Sequence, residues 1–169
     1  DVALHIGTLV AVVGYFRTDL VTYVREGLRL VVRRERPATP DARLAWLLVL
    51  ATLPAAAVGA LFEEQIDEHL GTPVIIGISL VVFGLVLGWV DRRSGDRTIE
   101  GFSKRDALLI GAAQALALNP GTSRSGITIT TARTTGFTRD AAARISFLMS
   151  IPVTAGAVVF KMAKLLSDG

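Results

Sequence analysis

The sequence predicts an all-α, polytopic membrane protein with transmembrane helices and one re-entrant helix-loop-helix. Hydrophobic residues make up 51% of the 169-residue chain, and the mean hydropathy is +0.51. The charged residues cluster between uncharged stretches, and two of these stretches are long enough for a bilayer, which takes roughly 20 apolar residues per helix. We expect residues 1–169 to form a single integral membrane domain that is a piece of a longer protein.

The two long uncharged stretches are residues 45–62 and 71–90. A soluble amphipathic helix has a polar face, and neither stretch provides one. Shorter uncharged runs cover residues 2–16, 107–123 and 145–160. Two basic loops, residues 17–43 and 91–106, are predicted to be cytoplasmic by the positive-inside rule, and the acidic turn at residues 63–69 lies outside. The net charge of +3 is explained by these flanking loops, so no nucleic-acid partner is expected.

The segment from about residue 107 to 135 is predicted to re-enter the membrane without crossing it. Residues 107–118 would form a helix only about 18 Å long. Asn119-Pro120-Gly121 then ends that helix, and Arg133 and Arg139 place the chain back on the cytoplasmic side. Non-helical backbone at membrane depth persists only when it is buried in protein or lines a wet cavity. Residues 145–160 would cross outward, with Pro152 as a kink.

The loop at residues 119–128 concentrates the groups that a phosphate site needs. Arg124 supplies a permanent charge in a planar fork, and glycine at 121 and 126 permits close backbone approach. Ser123 or Ser125 would cap the following half-helix, whose N-terminus favours an anion. Capping alone would explain the serines, but an arginine between two apolar half-helices is costly and therefore functional by default. The hydroxyls able to donate to phosphate oxygens belong to Thr122, Ser123, Ser125 and Thr128.

Other phosphate and nucleophile motifs do not match. The loop is not a nucleotide P-loop, because Ile127 stands where lysine is required. It is not a nucleophile elbow, because Ser125 stands where glycine is required. A serine protease needs a histidine base, and the chain has only His5 and His69. There is no cysteine for a thiolate nucleophile or a thiolate metal site.

Residues 114–126, Gln-Ala-Leu-Ala-Leu-Asn-Pro-Gly-Thr-Ser-Arg-Ser-Gly, resemble the PGxSRSxxT signature of the bacterial undecaprenyl-diphosphate phosphatases, the bacitracin-resistance family. The similarity continues at residues 4–9, 53–55 with Gly59, and 146–152. The resemblance implies an inner-membrane enzyme with an inverted repeat and two re-entrant loops. It would hydrolyse undecaprenyl diphosphate to undecaprenyl phosphate and inorganic phosphate, recycling the lipid carrier for peptidoglycan synthesis and conferring bacitracin resistance. It also implies a divalent cation, Mg or Ca. The expected partners are a polyprenyl diphosphate lipid and the membrane, with a homodimer left open.

By position in the motif, the resemblance implies that Arg124 and Ser123 are the catalytic residues. It does not identify the group that attacks phosphorus. The residues expected to contact substrate phosphate are Gly121, Thr122, Ser125 and Thr128. The family's acidic (E/Q)xxxE motif and PVSSTGH segment would precede residue 1, so no metal ligand is expected in this chain, and the chain alone is expected to be inactive. Glu64 and Glu68 mimic the acidic spacing but are interpreted as a solvated helix end, and His5 as a packing residue. The alternative function is a lipid-phosphate transporter or flippase without phosphatase activity, which broken helices suit equally.

Overall fold

A computed structural model of the chain describes residues 2–33, 39–70, 72–119 and 121–167. Within these ranges the chain forms α-helices and two short 3-10 turns, Ile99–Gly101 and Leu116–Leu118, with no strand. The all-α fold class is therefore confirmed. The helices are α1 (Val2–Tyr15), α2 (Arg17–Arg33), α3 (Pro40–Leu70), α4 (Pro73–Asp91), α5 (Lys104–Ala115), α6 (Arg124–Thr134) and α7 (Arg139–Ser167).

Among the described residues, two helices are long and apolar enough to cross a membrane. The uncharged stretch 45–62 lies within the first, and residues 73–90 of the second uncharged stretch lie within the other. The candidate spans are Pro40–Gly59 within α3 and Pro73–Asp91, which is all of α4. Most of α4 is unburied, and its exposed side chains are large and apolar, so lipid is the surrounding that suits them. These exposed residues include Val74, Ile78, Val81, Leu85 and Trp89.

The prediction of a loop over residues 17–43 is wrong for its first part, because Arg17–Arg33 forms α2. Tyr23 and Gly27 are buried, and a Cβ at Gly27 would be in ordinary contact with Ala45 Cβ of α3, at 3.6 Å. Arg25 and Arg29 are exposed. The segment is therefore a helix with one face on α3. Its many charged residues obscure the helical period of its buried residues.

The predicted acidic turn at residues 63–69 is also wrong as a turn, since α3 continues to Leu70. The side chains of Glu64 and Glu68 lie outside the described residues, and so does that of His5. The interpretations given to those three side chains stay predictions.

One hydrophobic core joins α2, α3, α5, α6 and α7. The crossing of α3 and α5 is close, because a Cβ at Gly111 would overlap the carbonyl oxygen of Ala51. Small residues allow such backbone approach between helices in a membrane protein. The largest fully buried side chains are Phe102, Phe137, Ile110, Ile145, Leu148 and Met149.

Arg97 links the start of α5 to the end of α6 through one ion pair and one hydrogen bond to the backbone. Arg97 donates to both carboxylate oxygens of Asp106, at 3.1 and 2.7 Å, and to the carbonyl oxygen of Thr135 at 2.8 Å. Ser103 caps α5 and donates to Asp106 as well, completing a capping box. Burial alone would raise the pKa of Asp106, but the hydrogen bonds from Arg97 and Ser103 outweigh it and hold that pKa below its ordinary value.

The start of α5 and the end of α6 therefore lie at the same end of the molecule, which we call the basic end. The two helices have 12 and 11 residues, about 18 and 16 Å, too short for either to span a bilayer. The turn between them, residues 116–123, lies at the opposite tip of this helix pair. Re-entry of residues 107–135 into the membrane stays a prediction.

Candidate functional site

The tip between α5 and α6 is a short irregular turn. A 3-10 turn at Leu116–Leu118 follows α5, and Asn119 ends it in an extended conformation. Gly121 has a φ of +90°, which disfavours any residue with a side chain, and Thr122 N donates to Asn119 O at 3.0 Å. Pro120 lies outside the described residues. The predicted helix-ending role of Asn119 and Gly121 agrees with this geometry.

The turn is fixed to α4. The side-chain amide of Asn119 donates to Ser79 Oγ at 2.9 Å and to Thr122 Oγ1 at 3.2 Å. Gly121 lies against the α4 backbone, since a Cβ there would be 2.6 Å from the carbonyl oxygen of Ile76. The close approach expected of Gly121 is therefore an approach to a neighbouring helix.

Ser123 is the residue that caps α6. Its Oγ accepts from Gly126 N at 3.2 Å and lies 3.3 Å from Ser125 Oγ. A Cβ on residue 126 would come within 3.1 Å of Ser123 Cβ, which explains why glycine suits that position. Both serines are exposed, so their hydroxyls lie at the accessible N-terminus of a helix, where backbone N–H groups favour an anion.

Arg124 is half-buried at the first position of α6. One of its guanidinium nitrogens donates to Thr154 Oγ1 of α7 at 3.0 Å. In the described part of the chain no ion pair includes Arg124, whereas Arg97, Arg133, Arg139 and Arg144 all have carboxylate partners. Its positive charge is therefore held in place by a neutral hydroxyl and stays available to an anion.

The two threonines proposed as phosphate contacts lie behind this surface. Thr128 is 1% exposed, and its Oγ1 lies 2.9 Å from Arg124 O and 2.7 Å from Ser146 Oγ. Thr122 is 8% exposed and accepts from Asn119. The structure thus brings Ser123, Arg124 and Ser125 together at the surface, while the hydroxyls of both threonines are engaged within the protein.

Sequence reasoning missed the residues on other helices that hold the turn. Ser79 on α4 and Thr154 on α7 bind Asn119 and Arg124 across 40 and 30 positions of the chain. Each stands within an uncharged apolar run, where an isolated hydroxyl is itself a signal of an internal hydrogen bond. Gln114 Nε2 and Asn119 Oδ1 are buried beside the turn without a partner among the described residues.

The divalent cation implied by the resemblance does not fit the residues present. Among the described residues no group of three His, Cys, Asp or Glu side chains could hold a metal ion. Besides the guanidinium of Arg124, the tip offers serine hydroxyls and the amide oxygen of Asn119, which has no partner in the described part of the chain. Hard cations prefer several carboxylate and carbonyl oxygens, and a neighbouring guanidinium opposes them. This donor set suits an anion.

The family described as bacitracin resistance protein BacA matches residues 1–169. The chain is 46% identical over 169 residues to an undecaprenyl-diphosphatase of Hahella chejuensis, covering 100% of the chain and 63% of that relative. It is 53% identical over 162 residues to an undecaprenyl-diphosphatase of Anaeromyxobacter sp., covering 95% of the chain and 53% of that relative.

A third relative, an undecaprenyl-diphosphatase of Aliivibrio salmonicida, is 49% identical over 154 residues, covering 90% of the chain and 57% of that relative. The chain thus spans between 53% and 63% of the length of these relatives. The match of the family runs over the whole chain, including the Ser123-Arg124-Ser125 tip and both candidate spans. This chain belongs to the bacitracin resistance protein BacA family.

Proposed function

We propose that the protein containing this chain hydrolyses undecaprenyl diphosphate to undecaprenyl phosphate and inorganic phosphate, as a multi-pass protein of the bacterial inner membrane. One observation supports the proposal most strongly. Arg124 presents a charge without a carboxylate partner, among the described residues, at the N-terminus of α6 and between two exposed serine hydroxyls. The activity named for the relatives supports the same substrate.

The substrate phosphate would bind at the tip of α5 and α6. Arg124 offers the free part of its fork to two phosphate oxygens, since only one guanidinium nitrogen is used by Thr154. Ser123 already accepts from Gly126 N, which leaves its hydroxyl hydrogen free to donate to a phosphate oxygen or to Ser125. Thr122 and Thr128 contribute indirectly in this proposal, by fixing the backbone on either side.

In the net reaction a water oxygen bonds to the terminal phosphorus, and the bond from that phosphorus to the bridging oxygen breaks. The electrons of that bond leave with undecaprenyl phosphate, and the protons of water are shared between the two phosphate products. Transfer of this kind depends mainly on positioning and electrostatic stabilisation. Arg124 would stabilise the charge on the transferred group, and Ser123 would orient it. No step of this proposal runs through a cation.

The test is phosphate release in detergent micelles. We would replace the matching segment of the Hahella chejuensis relative with this chain, and we call the product the hybrid protein. The hybrid protein is expected to release inorganic phosphate from a polyprenyl diphosphate, and the 169-residue chain alone is expected to release none. Micelles have no second compartment, so phosphate release there requires hydrolysis. A folded hybrid protein that moves lipid across sealed vesicles but releases no phosphate would support the transporter instead.

A further inference from the structure

The basic end of the molecule contains a second concentration of positive charge, remote along the helices from the tip that holds Arg124. An open cavity of about 560 Å3 lies between the end of α4, the loop after it, the end of α6 and the start of α7. Its lining includes Arg92, Arg93, Arg133, Thr138, Arg139 and Asp140.

The cavity has an excess of positive charge. Its lining has four arginines and the carboxylate of Asp140, and Asp91 adjoins it and pairs with Arg139 at 2.8 Å. Four positive charges against two carboxylates leave an excess of two. In the described part of the chain neither Arg92 nor Arg93 forms an ion pair, and both are exposed.

Hydrogen bonds hold the backbone that surrounds the cavity. Arg133 is 4% exposed and donates to the carbonyl oxygens of Asp91, Arg93 and Phe137, so it fixes the reversal of the chain after α4. The start of α7 is capped by Thr138, whose Oγ1 accepts from Ala141 N at 3.1 Å. These hydrogen bonds fix the backbone from which the side chains of Arg92 and Arg93 extend.

The cavity also lies where a lipid headgroup would be. It begins directly after α4, whose 19 mainly apolar residues extend about 28 Å, close to the thickness of a hydrocarbon core. Trp89 is 59% exposed in the last turn of α4, and the Arg93 guanidinium stacks 4.2 Å from its ring centroid. Exposed tryptophan marks the membrane interface, and the basic loop after α4 marks the cytoplasmic side.

We propose that this cavity binds the phosphate of an anionic phospholipid from the cytoplasmic leaflet. Arg92 and Arg93 would contact the phosphate, and the acyl chains would lie along the exposed side chains of Leu85 and Trp89. Basic pockets at the cytoplasmic ends of membrane helices suit such headgroups. Zwitterionic lipids carry a cationic group that the two unpaired arginines would repel. The site is separate from the proposed phosphatase centre and does not depend on it.

The experiment uses the quenching of Trp89 by brominated lipids. The chain has two tryptophans, so the W46F variant leaves Trp89 as the single reporter. Dibrominated phosphatidylglycerol is titrated into neutral detergent micelles of the W46F protein, and dibrominated phosphatidylcholine is the parallel titration. Saturable quenching by the anionic lipid is expected at concentrations at which the zwitterionic lipid produces little.

Two double variants separate a site from general surface charge. R92Q/R93Q is expected to weaken the anionic-lipid titration by about 25-fold, about 5-fold for each arginine near the membrane surface. K104Q/R105Q removes the same charge from exposed positions on the first turn of α5, outside the cavity lining, and is expected to change it less than about 2-fold. Equal weakening by both variants, or no weakening by R92Q/R93Q, would overturn the proposal.

Competition by soluble anions distinguishes a lipid site from a free-phosphate site. Inorganic phosphate and glycerol 1-phosphate should compete weakly, because neither makes the acyl contacts with Leu85 and Trp89. Complete displacement by millimolar inorganic phosphate would instead identify a free-phosphate site and contradict the lipid assignment. Circular dichroism of each variant shows whether it is folded, and the single R92Q variant, with an expected change of about 5-fold, provides a second measurement if the double variant is unstable.

Discussion

The packing of the tip on α4 makes Gly121→Ala a sharp test of the site geometry. Gly121 has a φ of +90°, and a Cβ there would lie 2.6 Å from Ile76 O and 2.8 Å from Ile76 Cα. Left-handed backbone costs an L-residue about 1–2 kcal/mol. Overlap with helix backbone, which cannot rotate away as a side chain can, adds about 1–3 kcal/mol. The expected loss in the free energy of unfolding is therefore about 2–5 kcal/mol.

Gly136→Ala is the matched control. Gly136 also has a positive φ, +89°, but a Cβ there would make only ordinary contacts with the Arg97 side chain, at 3.5 Å from Cδ and 3.9 Å from Cγ. This variant should lose about 1–2 kcal/mol, the backbone cost alone. Gly77→Ala, on α4 with nothing within 4 Å of the added Cβ, should gain about 0.5–1 kcal/mol from helix propensity.

The assay is unfolding of the purified chain in mixed micelles by titration with sodium dodecyl sulfate, followed by circular dichroism. The difference between G121A and G136A isolates the contact between the tip and α4. Equal losses in the two variants would refute the reasoning, because they would show that the turn does not pack against Ile76.

Two further predictions concern the basic end and the cap of α6. Asp106→Asn should lower the free energy of unfolding by about 2–3 kcal/mol, below the value for a fully buried pair because Arg97 is 34% exposed on its side chain. Because the pKa of Asp106 is lowered in the folded state, its contribution is fully present above about pH 4 and is lost as the pH falls through the folded pKa. The wild-type chain should therefore lose more stability than D106N between pH 7 and pH 3 in the same titration, and parallel curves would contradict this. Ser123→Ala should cost about 1 kcal/mol through the lost cap, whereas Ser125→Ala should stay within about 0.5 kcal/mol. Both should raise the KM of the hybrid protein for lipid diphosphate, and an unchanged KM in both would remove the serines from the site.

The membrane spans could be predicted because lipid imposes a strong and local rule. An uncharged run of the right length has one stable environment, so the stretches 45–62 and 71–90 could be assigned as spans without knowledge of any contact. Residues 45–62 lie in α3 and residues 73–90 lie in α4. The same attention to charge misassigned residues 17–33. Tyr23 and Gly27 are four positions apart, which is the spacing of one helix face, and both are buried. The packing of α2 on α3 shows that this spacing, and not the charge, identifies the helix.

The tip could be predicted in composition but only partly in arrangement. The local sequence contains the cap, the turn glycine and the arginine, because these depend on neighbours within three or four positions. Which hydroxyls face outward depends on helices far away in the chain. Thr128 is turned inward toward Ser146, 18 positions later, and the acceptor of Arg124 comes from α7. No local pattern specifies those pairings.

The role of Arg124 is the central claim, and turnover of the hybrid protein with Arg124 variants tests it most directly. Arg124→Ala should lower kcat/KM for polyprenyl diphosphate by at least about 100-fold, the usual effect of removing a preorganised charge donor. Arg124→Lys should retain less than about a tenth of the activity, because a point charge does not replace the planar fork. Arg25→Ala, an exposed arginine on α2, should leave turnover unchanged. Near-normal phosphate release by a folded R124A hybrid protein would contradict the account.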